Sequence, residues 1–147
     1  MLATLLLGSL LIIGNMAIQI FAVVMVVRIL LKRFSTGELG KGLKADINVI
    51  SIVISVLFAG HLLQFATWAT LFILIGQFSE FSVAFYYSTV NFTSLGYGDI
   101  VMDVRWRLLG GLEAANGVLM FGLSAGTILS VMNHVFSRYI ITYRENK

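Results

Sequence analysis

The sequence predicts an all-α membrane protein with three transmembrane helices, one short re-entrant helix and an extended return segment. Of its 147 residues, 59% are hydrophobic and only 12% charged, more apolar surface than a soluble domain of this size encloses. Residues 1–27 and 47–79 carry no charged side chain, and 108–135 carry only Glu113. Each run exceeds the roughly 20 residues that cross a hydrocarbon core. Between the second and third runs, 81–92 is apolar and aromatic but too short to span.

The first run differs from a cleavable signal peptide, because it is long and its basic residues follow rather than precede it. It is expected to be a retained helix over 1–31, with the N-terminus outside. Arg28, Lys32, Arg33, Lys41 and Lys44 cluster after it, and Arg138, Arg144 and Lys147 follow the third run. Positive flanks of this kind mark cytoplasmic segments, so 32–46 reads as a cytoplasmic loop and 138–147 as a cytoplasmic tail. The net charge of +3 is thereby explained by topology, and nucleic acid is not expected as a partner. The second span runs outward from 47 to 76, leaving 77–107 on the outer side. With no cysteine, disulfides and thiolate chemistry are excluded; with no proline, any helix bend needs another cause. The first span has no arginine ladder of the kind a voltage sensor needs.

Within the outer segment, Ser79 is the expected N-cap of a half-membrane helix over 81–92, with Glu80 in its first turn. The chain then returns through 93–99. Irregular backbone at membrane depth survives only inside protein or along a watery cavity, so this re-entrant excursion itself points to a pore. The third span holds Gly110, Gly111, Gly117, Gly122 and Gly126. Gly122 and Gly126 form a small-xxx-small pair, readable as helix packing or as room on the cavity side of a pore.

A cation that sheds its water needs a close set of replacement oxygens. Backbone carbonyls supply them only when successive ones face one side, which an ordinary alternating strand forbids. Glycine at alternate positions removes the obstacle by reaching positive φ. Gly96 and Gly98 have that spacing. Leu95 and Tyr97 are then expected to point away from the axis and pack against the short helix, while Ser94 adds a hydroxyl oxygen at the inner end. The C-terminal end of that helix, near Phe92, carries roughly half a negative charge and favours a cation beneath it.

The stretch Thr93-Ser94-Leu95-Gly96-Tyr97-Gly98-Asp99 resembles the filter signature of the potassium channel family. The similarity extends over 47–136, while 1–44 lie outside it. Tyr86 and Tyr87 resemble the aromatic pair that braces the family's filter, and Arg105-Trp106-Arg107 the start of its inner helix. Ser94 replaces the usual threonine, Leu95 the usual valine, and Val90 a common bracing glutamate; Glu113 and Asn91 are the two candidates to brace the filter in its place. The proline often found after the filter aspartate is missing.

The resemblance implies a homotetramer that passes potassium ions down their electrochemical gradient. Ser94, Leu95, Gly96, Tyr97 and Gly98 would coordinate the ion, with Thr93 and Asp99 flanking them. Tyr86, Tyr87 and Asn91 would give pore-helix support, with Glu113 as a filter modulator. Gly117 is the candidate hinge, and Gly122, Gly126, Ser130 and His134 the candidate cavity stripe. The pore domain spans 47–137. Alternatives are a weakly selective cation channel or a non-conducting subunit of a channel complex. No enzyme motif occurs, and no cofactor is expected beyond potassium as permeant ion. The expected partners are further copies of the chain and the lipid bilayer, with a separate regulatory subunit left open. The expected location is the plasma membrane, or the inner membrane in a bacterium. His61 is read as a hydrogen-bonded interhelical residue, and the Asn91-Phe92-Thr93 glycosylation sequon as coincidental on a buried helix.

Overall fold

The computed structural model has four helices: α1 (Leu2–Ser35), α2 (Leu43–Leu74), α3 (Phe81–Phe92) and α4 (Arg107–Glu145). It describes residues 1–35 and 42–145, and their side chains except Phe34 and 138–145; these described residues contain no strand. Among the described residues three stretches are long and apolar enough to cross a membrane, Leu2–Arg33, Leu43–Leu74 and Arg107–Ser137. The chain is a multi-pass, all-helical membrane protein.

The helices overrun the sequence-based boundaries at their basic ends. α1 carries Lys32 and Arg33 in its last turn, α2 starts at Leu43, and α4 continues through 138–145. Charge ends an apolar run without ending a helix, because Lys, Arg and Leu are all good helix formers. The loop expected over 32–46 is therefore shortened from both sides, and 36–41 lie outside the described residues. The 34 residues of α1 reach about 51 Å at about 1.5 Å each, beyond a hydrocarbon core of about 30 Å. Its basic end thus projects into the headgroup region.

The short helix falls where the sequence places it, but its cap differs. Glu80, not Ser79, is the N-cap, in an extended conformation and without a side-chain cap bond. A carboxylate there still faces the positive end of the helix dipole. Upstream, α2 stops in a Schellman motif: Gly76 has φ 73, its N–H donates to the Ile73 carbonyl at 2.9 Å, and Gln77 N–H donates to the Phe72 carbonyl at 2.9 Å. Gln77 then ties the two outer loops together, since its Oε1 accepts from the Asp103 backbone N–H at 2.9 Å.

α3 packs between α2 and α4, and α1 packs against both α2 and α4. Phe65, Trp68 and Phe72 of α2 meet Phe92, Leu109 and Met120 in one buried cluster. Ala22 and Val26 of α1 meet Val53, Leu57 and Val131 in another, deeper toward the basic ends. Lipid tails are as apolar as these side chains, so tight contact and polar links, not water exclusion, hold such helices together. Among the described glycines the closest approach is at Gly117, where an added β-carbon would fall onto the Phe92 carbonyl oxygen. Gly117, the candidate hinge, is thus the point where α4 lies directly on the end of α3.

Candidate functional site

Three residues with positive φ follow α3 at alternate positions: Ser94 (59°), Gly96 (58°) and Gly98 (74°). This is the alternation that a one-sided row of carbonyls requires. The two glycines adopt it at little expense. Ser94 does so without that freedom, and a left-handed conformation costs an L-residue roughly 1–2 kcal/mol. Its strain is offset because Ser94 directly follows the C-cap Thr93 and closes the end of α3. Ser94 N–H donates to the Asn91 carbonyl at 2.9 Å and Leu95 N–H to the Val90 carbonyl at 3.0 Å, the Schellman pattern again. One residue therefore ends the helix and starts the return. Thr93 turns its hydroxyl back onto the helix, donating toward the Thr89 carbonyl at 2.8 Å.

Leu95 and Tyr97 depart from expectation. Instead of packing on α3 they stay 55% and 66% exposed in the single chain. Behind the return segment lies a cleft of about 140 Å³ lined by Tyr86, Asn91, Gly96, Gly98 and Asp99, among others. At its outer end the Tyr86 hydroxyl donates to Asp99 Oδ2 at 2.7 Å, joining α3 to the residue after Gly98. Tyr87 also lines this cleft while its ring packs on α2, with its centroid 5.3 Å from that of Phe72 and 5.2 Å from that of Phe78.

The alternatives Glu113 and Asn91 act together. Asn91 Nδ2 donates to Glu113 Oε2 at 2.8 Å and to the Gly110 carbonyl at 2.7 Å. Ser88 Oγ stands 2.6 Å from Glu113 Oε1 and 3.0 Å from the Phe65 carbonyl oxygen. Fully buried Glu113 therefore ties α4 to α3, and Ser88 extends the tie to α2. Sequence reasoning passed over Ser88, whose signal is its position one helical turn before Asn91. Replacing Glu113 with leucine strands an Asn91 N–H, and each buried unpaired group costs about 1–3 kcal/mol. We expect thermal unfolding of Glu113→Leu at clearly lower temperature than wild type, with Glu113→Gln between them. An unchanged melting curve for the leucine variant would remove Glu113 from this role.

The proposed cavity stripe splits. Gly122 and Gly126 have open space at their α-carbons. Ser130 and His134 instead line an open groove of about 500 Å³ with Val27 and Leu30 of α1. Asn133 lines the same groove. His61 is buried between helices, bonded to Gln64 and Ser124, and is not among the residues lining the cleft behind the return segment.

A family model described as "Ion channel" matches residues 49–134, 86 of the 147 residues. The match takes in most of α2, all of α3, the return segment and the apolar part of α4. The chain is 32% identical over 103 residues to the potassium voltage-gated channel subfamily A member 2 of Oncorhynchus mykiss, covering 68% of this chain and 21% of the relative. It is 34% identical over 104 residues to subfamily A member 5 of Mus musculus, covering 68% and 17%. The potassium voltage-gated channel protein Shal of Drosophila melanogaster is 33% identical over 61 residues, covering 41% and 11%. The chain thus spans at most 21% of the length of these curated relatives. No solved structure matches significantly. Because the family match covers more than half of the chain and takes in α3 and the return segment with most of the helices on either side, the chain belongs to the ion channel family, where the relatives it matches are potassium channels.

Proposed function

We propose that four copies of this chain surround one axis and pass potassium ions down their electrochemical gradient through a filter of backbone carbonyls. The observation that carries this reading is the run of positive φ at Ser94, Gly96 and Gly98 directly after a buried helix end. Carbonyls from 94 to 97, repeated fourfold, replace the water of a dehydrated potassium ion. Exposed Leu95 and Tyr97 are the surfaces that neighbouring subunits cover. Four α3 C-termini add their partial negative charge beneath the filter. Gly122 and Gly126 leave room along the inner helix for the approach of ions or of a neighbouring helix. The basic ends of α1 and α4 lie in the cytoplasm of a cell bounded by the plasma membrane, with the N-terminus outside.

Purified protein in liposomes, with potassium on one side and sodium on the other, tests this reading. A reversal potential close to the potassium equilibrium value is expected. Equal permeability would instead indicate a weakly selective cation channel, and absence of current a non-conducting subunit. Voltage is expected to change the open probability of this pore only weakly. Each charge moved through the field is worth about 2.3 kcal/mol per 100 mV, and α1 holds Arg28, Lys32 and Arg33 toward its C-terminal end rather than spreading arginines along a ladder. A steep sigmoidal activation curve in the same recordings would contradict this.

A further inference from the structure

α1 lies outside the region matched by the ion channel family, yet it carries two fully buried polar side chains, Asn15 and Gln19. They face His61, Gln64 and Thr67 of α2 and Ser124 of α4. Gln64 Nε2 lies 3.1 Å from the Asn15 backbone carbonyl and 3.2 Å from Gln19 Oε1. Gln19 Nε2 lies 2.9 Å from Ser124 Oγ. The His61 ring closes the circuit, with Nδ1 2.9 Å from Gln64 Oε1 and Nε2 2.9 Å from Ser124 Oγ. Beside it the Thr67 hydroxyl stands 2.8 Å from Asn15 Oδ1 and 2.7 Å from the Gln64 backbone carbonyl.

The direction of every bond in this circuit follows from one fact. A backbone carbonyl can only accept, so the side of Gln64 facing Asn15 must be its NH₂. Its second amide hydrogen then goes to Gln19 Oε1, which turns the Gln19 NH₂ toward Ser124. Gln64 Oε1 is left facing His61, so Nδ1 must carry the proton. His61 Nε2 is then the acceptor for the Ser124 hydroxyl, whose oxygen already accepts from Gln19. Each of the four side chains donates to the next around the circuit, and the circuit is complete only with a neutral imidazole protonated at Nδ1. At membrane depth such a closed set leaves little reason for any member to leave, because lipid offers no substitute partner.

The imidazole also has a second set of neighbours. Its ring centroid lies 4.5 Å from that of Phe121 and 6.3 Å from that of Phe92, and the Phe92 carbonyl rests on Gly117. Phe92 is the last residue of α3, two before Ser94. We propose that Gln19, His61, Gln64 and Ser124 form a closed hydrogen-bond ring that fastens the first helix to the pore unit and uses the His61 imidazole to position the inner end of the filter. The effect on the filter rests on the channel reading above; the ring itself does not.

Two measurements separate these. In protein labelled with ¹⁵N-histidine and reconstituted in lipid, nitrogen shifts at pH 7 should show His61 as the Nδ1–H tautomer with Nε2 accepting. The His61 signals are those that remain in His134→Gln, or those lost in His61→Gln should the first variant not fold. An Nε2–H tautomer or an imidazolium at that pH overturns the ring, whether or not the protein conducts. Ser124→Ala removes the hydroxyl donor and Ser124→Thr keeps it. We expect the potassium-to-sodium permeability ratio to fall about threefold in the alanine variant, the equivalent of one intramembrane hydrogen bond, and to recover in the threonine variant. A ratio unchanged in Ser124→Ala, or reduced equally in both, overturns the positioning role. Absence of current in the wild type would count against the channel reading alone, with the tautomer still deciding the ring.

Discussion

Gly98→Ala is expected to abolish potassium-selective current. At φ 74 a β-carbon adds roughly 1–2 kcal/mol of backbone strain in each chain, and a fourfold filter carries that strain four times. The residue then relaxes toward negative φ, and its peptide rotates out of the alternating pattern shared with Ser94 and Gly96. The lost element is the geometry of an oxygen site, not a side chain, so no compensating contact is available nearby. Bi-ionic recordings should show current at least about tenfold lower, or a reversal potential no longer set by potassium, since about 1.4 kcal/mol in one site already corresponds to a factor of ten. A variant whose reversal potential still followed potassium as in the wild type would show that Gly98 lies outside the filter.

The second large effect is expected at Gly117. Even alanine there would place its β-carbon against the Phe92 carbonyl oxygen and carbon, both backbone atoms that cannot swing aside as a side-chain tip can. Overpacking of this kind costs typically 1–3 kcal/mol, and here it also pushes α4 away from the end of α3. Gly117→Ala should therefore lose assembled protein on size-exclusion chromatography, and Gly117→Val should lose it completely. Gly14→Ala, with nothing near its α-carbon, is the control and should assemble normally. A pure hinge predicts the opposite outcome for Gly117→Ala, namely normal assembly with slowed gating, so this experiment distinguishes a flexible joint from a close contact.

The legible parts of the sequence were those written in local pattern. The span of α3 follows from an apolar aromatic run bounded by Ser79-Glu80 and Thr93, and two positive-φ residues of the return segment follow from the Gly96 and Gly98 spacing. Ser94 escaped this logic because a left-handed serine is stabilised by bonds back to Val90 and Asn91, a helix-end motif that local composition does not announce. Helix ends at the basic flanks were also misplaced, since hydropathy reports where lipid stops and not where the helix does. The bracing role of Glu113 stayed open between two candidates, and only the geometry shows that Asn91 and Glu113 are partners. Leu95 and Tyr97 stay exposed in the single chain, and it is the tetramer proposed above that would cover them.

The ring around His61 shows the same limit from the other side. Asn15 and Gln19 lie four residues apart on α1, and His61, Gln64 and Thr67 lie three apart on α2. Polar residues at helical spacing inside apolar runs are themselves a signal that two faces meet. What the spacing could not supply was the pairing of those faces or the direction of each bond. The first helix, which no filter motif explains, is the element whose role depends most on that pairing.

The most direct test of a backbone-carbonyl filter is to see the ion. Thallium, a potassium-like cation with strong anomalous scattering, can be introduced into crystals of the protein grown from lipid or detergent. The expected result is a column of anomalous peaks on a fourfold axis, flanked by the carbonyl oxygens of residues 94–97 from four chains. An assembly of another symmetry, or residues 94–98 facing lipid with no ion beside them, would contradict it.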